Sequence, residues 1–103
     1  MIWASRDGGK REAMILSQLR DILDSTETDF LVFTQTVCPY CTLAFRTLDA
    51  KDLSFTDVNL DHYDGLRQAV VSETGHRTVP VVFDMRDEDP VVIGGSDNLL
   101  EYL

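Results

Sequence analysis

The hydrophobic and polar positions along this 103-residue chain change their spacing several times, and each change predicts a new element. Residues 10–24 carry four aliphatic side chains at helical spacing, namely Ile15, Leu19, Ile22 and Leu23. This spacing predicts an amphipathic helix whose apolar stripe packs on a sheet. The apolar run 30–33 then predicts a buried strand over Phe30–Thr34.

A second helix is predicted from Pro39 onward, because proline is well tolerated at the first helical position. One face of this helix carries Cys41, Ala44, Phe45 and Leu48. A second strand is predicted over 55–60. Asp61 and Asp64 then resemble the capped start of a third helix that ends near Gly75. The apolar positions of this third helix are Tyr63, Leu66, Ala69 and Val70.

The last third of the chain has the pattern of a hairpin followed by a helix. Two apolar runs, 81–85 and 91–93, are joined by the acidic segment 86–90, which is too short for a crossover and predicts antiparallel strands. Gly94 and Gly95 end the second run. Ser96 is predicted to cap a final helix that carries Leu99, Leu100 and Leu103. Together with right-handed crossovers, this order predicts an α/β fold with a four-stranded mixed sheet flanked by helices.

The composition predicts one soluble domain over residues 1–103, since 44% hydrophobic residues suffice for a single core. Two cysteines are too few for a disulfide-rich secreted scaffold. The sequence has no apolar run that would span a bilayer, and residues 1–9 lack the apolar segment of a signal peptide. A cytoplasmic location is therefore expected.

The net charge of the chain limits the kinds of molecule that it is expected to bind. Eighteen acidic residues stand against nine basic ones, which gives a formal net charge of -9. Nucleic acids and anionic membranes are excluded as partners, because both bind through cationic patches that this chain lacks. The acidic surface is also compatible with a salt-rich cytoplasm.

The tetrapeptide Cys38-Pro39-Tyr40-Cys41 holds both cysteines and lies between a predicted strand and a predicted helix. A helix N-terminus favours a thiolate on the first cysteine, so the pair is typical of a redox centre. A structural zinc site would need two more ligands, and the spacing of His62 and His76 fits none of the usual patterns. A purely structural disulfide would close too short a loop to stabilise the fold much.

Three segments of the chain resemble the glutaredoxins, which have a thioredoxin-like fold. They are Thr34–Cys41, Arg77–Pro80 and Gly94–Asp97, and their order and spacing extend the resemblance over residues 30–103. Residues 1–28 would be an N-terminal extension that includes the amphipathic helix. The resemblance implies that Cys38 is the nucleophile and that Cys41 resolves the intermediate. It implies no metal and no permanently bound cofactor, with glutathione as co-substrate.

The resemblance also implies a glutathione-binding groove beside Cys38. In the family the bond equivalent to Val79-Pro80 is cis, which places the Val79 backbone where it pairs with the cysteine part of glutathione. The turn after the two glycines holds the γ-glutamyl group, with Asp97 at its ammonium. Many members have lysine where this chain has Gln35, and Arg77 is the nearest cation in sequence that would compensate. The expected substrate-binding residues are Gln35, Tyr40, Arg77, Thr78, Val79, Pro80, Gly95, Ser96 and Asp97.

The expected function is glutathione-dependent reduction of protein disulfides and glutathione mixed disulfides by a monomer. Its partners would be glutathione, or another low-molecular-weight thiol, and disulfide-containing or glutathionylated proteins. One alternative is a redoxin recharged by a flavoprotein reductase, which donates electrons to an enzyme such as ribonucleotide reductase. A second alternative is a dimer that holds an iron-sulfur cluster through Cys38 and glutathione.

Overall fold

The computed structural model describes residues 17–103, in which helices and strands alternate along the chain. The first helix, α1, covers 17–25 of the described part. The elements after it are β1 (Phe30–Thr34), α2 (Pro39–Ala50), β2 (Phe55–Asn59), a 3-10 turn (Leu60–His62), α3 (Leu66–Thr74), β3 (Val81–Asp84), β4 (Val91–Gly94) and α4 (Ser96–Tyr102). Within 17–103, no helix is long and apolar enough to cross a bilayer.

The predicted helix over 10–24 is therefore described only in its second half. Its residues before 17 lie outside the described part of the chain, and the helix extends one residue beyond the predicted end. The assignment of residues 1–103 to one domain stays a prediction, as does the N-terminal extension over 1–28.

The strands form one mixed sheet in the order β2-β1-β3-β4. β1 pairs in parallel with β2 and antiparallel with β3. β3 and β4 pair antiparallel, so the predicted hairpin is confirmed. β2 and β3 each end one residue earlier than predicted, at Asn59 and Asp84, while β4 extends to Gly94.

The core lies on both faces of β1, whose five residues are all buried. Successive side chains of a strand point to opposite faces. Leu31 and Phe33 accordingly join one cluster, and Phe30 and Val32 join another. The first cluster includes Leu19 of α1 and Leu66, Ala69 and Val70 of α3, whereas the second includes Ala44 and Leu48 of α2 and Leu99 of α4. The helices thus cover both faces of the sheet, as in the predicted thioredoxin-like fold.

The start of α3 differs from the prediction. The helix begins at Leu66, and its N-cap is Gly65 with φ 77°, so Asp61 and Asp64 do not cap it. Asp61 lies in the 3-10 turn, and its carboxylate accepts the Thr36 backbone N–H instead. Tyr63 lies ahead of the helix and is exposed. A hydrogen bond to a loop 25 residues away in sequence has replaced the local cap.

The start of α4 also differs by one residue. Its N-cap is Gly95, and Ser96 is the first helical residue rather than the cap. The Asn98 side-chain oxygen accepts the Gly95 N–H at 3.0 Å, which satisfies a donor that the helix leaves free. Leu99 is fully buried, whereas Leu100 is 51% exposed.

The C-terminal end of α4 is held to the sheet by the buried carboxylate of Asp84. Arg86 forms an ion pair with this carboxylate at 2.9 Å, and the Tyr102 hydroxyl donates to it at 2.7 Å. The Arg86 guanidinium also lies over the Phe30 ring, 4.9 Å from its centroid. Hydrogen bonds from the Arg86 side chain are the main cause that lowers the pKa of Asp84 to about 2. Since α4 also carries Ser96 and Asp97, this network fixes one wall of the site described next.

Candidate active site

Cys38 and Cys41 lie at the N-terminal end of α2 and are joined by a disulfide, with their Cα atoms 5.2 Å apart. Cys38 is the N-cap of α2, and Pro39 occupies the first turn as predicted. Cys41 lies within the helix and is only 3% exposed, while Cys38 is half-buried at the groove described below. The two sulfur atoms are therefore unequal in access, and Cys38 is the one that an incoming molecule can reach.

The surroundings of the Cys38 sulfur favour a negative charge. The backbone N–H of Cys41 donates to this sulfur at 3.2 Å. The first turn of α2 has no acidic residue, so no carboxylate on that turn opposes the helix dipole. In the reduced protein, these features stabilise a thiolate on Cys38, which is the nucleophilic form of cysteine.

The backbone of Val79 lies beside the same sulfur. The Val79-Pro80 peptide bond is cis, as expected from the family resemblance. The Cys38 Sγ atom lies 3.8 Å from the Val79 carbonyl oxygen. β3 begins directly after this proline, at Val81. An extended thiol-containing peptide that reached Cys38 would therefore run alongside the Val79 backbone.

A groove of about 580 Å³ surrounds Cys38. All nine predicted substrate-binding residues line it: Gln35, Tyr40, Arg77, Thr78, Val79, Pro80, Gly95, Ser96 and Asp97. They come from three separate segments of the chain, which include the first turns of α2 and α4, and the fold brings them to one edge of the sheet. Their roles in binding stay predictions, but none of them lies away from the groove.

Five further groove residues were not among the predicted site residues: Val37, Pro39, Arg67, His76 and Asn98. Arg67 is the most informative, because it adds a cation at the end of the groove where Gln35 lies. The parallel pairing of β1 and β2 could have indicated it, since the segments that follow two parallel strands meet at the same edge of a sheet.

Polar contacts at one end of the groove link two lining residues, Gln35 and Arg67, to Asp61, which is not part of the lining. The Arg67 guanidinium donates to Gln35 Oε1 at 3.3 Å and to Asp61 Oδ1 at 3.4 Å. Gln35 Nε2 in turn donates to the Val37 carbonyl at 3.1 Å. The Thr36 backbone N–H donates to Asp61 Oδ2 at 2.9 Å, and this bond is the main cause that lowers the pKa of Asp61. This end of the groove therefore offers one guanidinium, which is paired with an ionised carboxylate that is not part of the lining.

The other end of the groove is formed by the turn from β4 into α4. Gly94 has φ 115°, a conformation that residues with a side chain rarely adopt. A Cβ atom placed on Gly95 would lie 3.7 Å from the Pro80 carbonyl oxygen, so this turn lies against the Val79-Pro80 segment. Ser96 is buried, and Asp97 is exposed in the first turn of α4. The turn therefore offers free backbone N–H groups and one carboxylate to a ligand.

Within residues 17–103, no three histidine, cysteine or acidic side chains are grouped so as to hold a metal ion. Cys38 and Cys41 have no histidine or carboxylate arranged around them as further ligands in that part of the chain.

Comparison with known proteins places this geometry in a family. Residues 30–87 match the glutaredoxin family model. The chain is 34% identical over 68 residues to glutaredoxin 3 of Escherichia coli K12, which covers 66% of this chain and 77% of that protein. It is 34% identical over 93 residues to glutaredoxin-C4, chloroplastic, of Oryza sativa subsp. japonica, covering 87% and 65% of the two chains. Its fold is similar to that of the buckwheat glutaredoxin-glutathione complex, with a TM-score of 0.76 and 28% identity over 89% and 81% of the two chains.

The family match includes both cysteines, and the structure joins them at the accessible end of α2. Cys38 and Cys41 form the Cys-x-x-Cys motif of the dithiol type. The chain belongs to the glutaredoxin family and is a thiol-disulfide oxidoreductase.

Proposed function

We propose that this protein uses glutathione to reduce protein disulfides and protein-glutathione mixed disulfides. One observation carries the proposal: a single groove joins the Cys38 sulfur to a peptide-like edge, a cation and a turn with free N–H groups. These are the features that a tripeptide thiol with two carboxylates and one ammonium would need. The glutathione complex of the related buckwheat protein supports the same substrate.

Each part of glutathione has a counterpart in the groove. The cysteine part would pair with the Val79 backbone, which brings its sulfur to Cys38. The γ-glutamyl carboxylate would accept N–H groups of the turn at Ser96 and Asp97, and Asp97 would bind the ammonium. The glycyl carboxylate would meet Arg67, which lies at the Gln35 end. Arg77, the cation first expected to compensate for Gln35, is exposed on the groove wall.

Reduction of a glutathionylated protein would need only Cys38. Its thiolate attacks the glutathione sulfur, the mixed disulfide breaks, and the protein leaves as a thiolate that takes up a proton. A second glutathione thiolate then attacks the glutathione sulfur bound to Cys38. This step releases glutathione disulfide and regenerates the Cys38 thiolate. The net reaction therefore converts one mixed disulfide and one glutathione thiol into one protein thiol and one glutathione disulfide.

Reduction of a protein disulfide would use both cysteines. The Cys38 thiolate attacks one sulfur of the substrate and forms a mixed disulfide. Cys41 then loses its proton, attacks the Cys38 sulfur and releases the reduced substrate. The product is the Cys38–Cys41 disulfide, which is the state of the protein in this structure. Two glutathione molecules would return it to the dithiol.

The two alternatives make different demands on the groove. A redoxin recharged by a flavoprotein reductase would need neither Arg67 nor the turn at Gly95 for its own recharging. A dimer with an iron-sulfur cluster would use Cys38 as a ligand and leave Cys41 without a role. The convergence of both groove ends on the cysteine pair therefore favours glutathione as reductant.

The test is reduction of a small glutathione mixed disulfide by the purified protein with glutathione, glutathione reductase and NADPH. We expect turnover that depends on both the protein and glutathione. Turnover with thioredoxin reductase and NADPH, but none with glutathione, would support the reductase-fed alternative instead. Visible absorbance of an iron-sulfur cluster after purification without oxygen would support the cluster-binding alternative.

A further inference from the structure

We propose that Asp61 is a specificity-determining residue. It weakens the binding of the terminal glycyl carboxylate of glutathione in the groove. Asp61 does so by sharing the Arg67 guanidinium. This inference rests on the proposed function, because it concerns how glutathione is held. It assigns a role to a carboxylate that belongs to none of the three motif segments.

Asp61 is held in place without help from Arg67. Its Oδ2 atom accepts the Thr36 backbone N–H at 2.9 Å, and its own backbone N–H donates to Asn59 Oδ1 at 2.9 Å. Asn59 Nδ2 also donates to the Thr36 hydroxyl at 3.3 Å, which ties the two loops together. The carboxylate is therefore held beside Arg67 by contacts that do not involve a ligand.

Arg67 is held less firmly. Both of its contacts, to Asp61 and to Gln35, are at the long end of the hydrogen-bond range, at 3.4 and 3.3 Å. The Arg67 and Asp61 side chains are 40% and 44% exposed. A ligand carboxylate can therefore compete for the guanidinium, but it does so beside a fixed negative charge.

Because Gln35 is neutral, the competition between Asp61 and a ligand carboxylate for Arg67 has a larger effect on binding. A lysine at that position would add a second cation to this end, whereas the neutral amide only accepts one Arg67 N–H. Asp61 is ionised at neutral pH, since the Thr36 hydrogen bond lowers its pKa. The cation that meets the glycyl carboxylate is thus partly neutralised, and the groove depends more on the Val79 and Gly95 ends for binding.

The test compares two substrates that differ only at this carboxylate. One is the mixed disulfide of glutathione with 2-mercaptoethanol, and the other is the same compound with the glycyl carboxylate esterified. Asp61→Asn keeps an oxygen for the Thr36 N–H but removes the charge. We expect it to lower KM for the first substrate by about two- to fivefold, the range for an exposed charge pair, with little change in kcat. KM for the ester should stay unchanged.

Asp52→Asn is the matched control for net charge. Asp52 is exposed and follows the C-terminal end of α2, about 18 Å from the cysteines at its other end. It already has φ 56°, a conformation that asparagine tolerates. This variant should leave KM for both substrates unchanged. The gain from Asp61→Asn should also shrink at 1 M salt, where charges are screened over about 3 Å.

A double-mutant cycle keeps the proposal testable if Asp61→Asn loosens the loop. Arg67→Gln should raise KM for the carboxylate substrate, and adding Asp61→Asn to it should then bring no gain. An equal effect of Asp61→Asn on both substrates, or no effect on either, would overturn the role of Asp61 alone. If the wild-type protein turns over neither substrate with glutathione, the proposed function itself is wrong and this inference is wrong with it.

Discussion

The backbone N–H of Cys41 donates a 3.2 Å hydrogen bond to the sulfur of Cys38. This contact makes the two cysteines chemically different, because the donor and the helix N-terminus both favour a negative charge on Cys38. Cys41 lies within α2, is buried and has no comparable access to the groove. The N-terminal end of α2 therefore determines which of the two cysteines is the accessible thiolate.

This asymmetry predicts different outcomes for the two single-cysteine variants. Cys38→Ser should abolish all thiol transfer, since the accessible nucleophile is lost. Cys41→Ser should lose reduction of protein disulfides but keep reduction of a glutathionylated substrate, which needs only Cys38 and external glutathione. Rates with both substrates measure the difference. Equal losses in the two variants on the glutathionylated substrate would contradict the assigned roles.

Gln35 is predicted to limit thiolate formation and substrate binding. Gln35→Lys would place an ammonium group at the end of the groove, where opposite charges within about 4–6 Å favour a thiolate, less so when solvent screens them. We expect the pH midpoint of Cys38 alkylation in the reduced protein to fall by roughly half a unit to one unit. KM for a glutathionylated substrate should fall as well.

The control for this change is Gln68→Lys. Gln68 is an exposed glutamine on α3 that does not line the groove, so this variant adds the same charge elsewhere. It should leave the alkylation curve and KM unchanged. Superimposable curves for wild type and Gln35→Lys at low salt would show that the helix end and backbone donors alone set the Cys38 thiolate.

Gly94 is predicted to be required for the shape of the γ-glutamyl end of the groove. It has φ 115°, and a Cβ atom there would lie 2.7 Å from Asn98 Oδ1 and 3.1 Å from His76 Cε1. Gly94→Ala should displace Asn98 from the Gly95 N–H and strain the turn. We expect KM for the glutathionylated substrate to rise severalfold. The free energy of unfolding should fall by about 1–2 kcal/mol from the backbone conformation.

Gly75→Ala separates strain from crowding. Gly75 ends α3 with φ 76°, but a Cβ atom there would have nothing within 4 Å. This variant should lose about 1 kcal/mol of stability, as expected for a left-handed C-cap, with KM close to wild type. A similar rise in KM in both glycine variants would mean that the Asn98 contact is unimportant for binding.

Asp84 is predicted to stabilise the fold in a pH-dependent way. Its pKa is lowered to about 2 in the folded protein, mainly by Arg86, from 3.8 in an unperturbed carboxyl. A carboxyl whose pKa is lower when folded stabilises the protein above pH 3.8, and this contribution is lost as the pH falls towards 2. The shift corresponds to about 1–2 kcal/mol once solvent screening of the half-exposed Arg86 is allowed for.

Asp84→Asn should therefore lower the free energy of unfolding at neutral pH and remove that part of its decline in acid. Urea unfolding at pH 7 and at several values between pH 4 and 2 measures both effects. Asp49→Asn, at an exposed position on α2, should leave the acid dependence close to wild type. An unchanged decline in Asp84→Asn would show that the ion pair with Arg86 does not stabilise the fold.

The sequence by itself determined the elements and most of the groove. The apolar run 30–34, the shift to helical spacing after Pro39 and the short acidic connection at 86–90 predict β1, α2 and the hairpin, since side-chain periodicity follows backbone geometry. The three motif segments led to all nine expected groove residues. The motifs were sufficient to predict these nine residues because each motif is a short continuous segment that contributes several of them.

Only the tertiary structure decided which hydrogen bonds polar side chains form with segments that are distant in the sequence. Asp61 resembled a helix cap in the sequence, but its carboxylate binds the Thr36 N–H 25 residues away, and Gly65 begins α3 instead. Arg67 reached the groove because β1 and β2 pair in parallel and end at one edge. A side-chain oxygen binds whichever donor the folded chain brings closest, and sequence periodicity does not encode that choice.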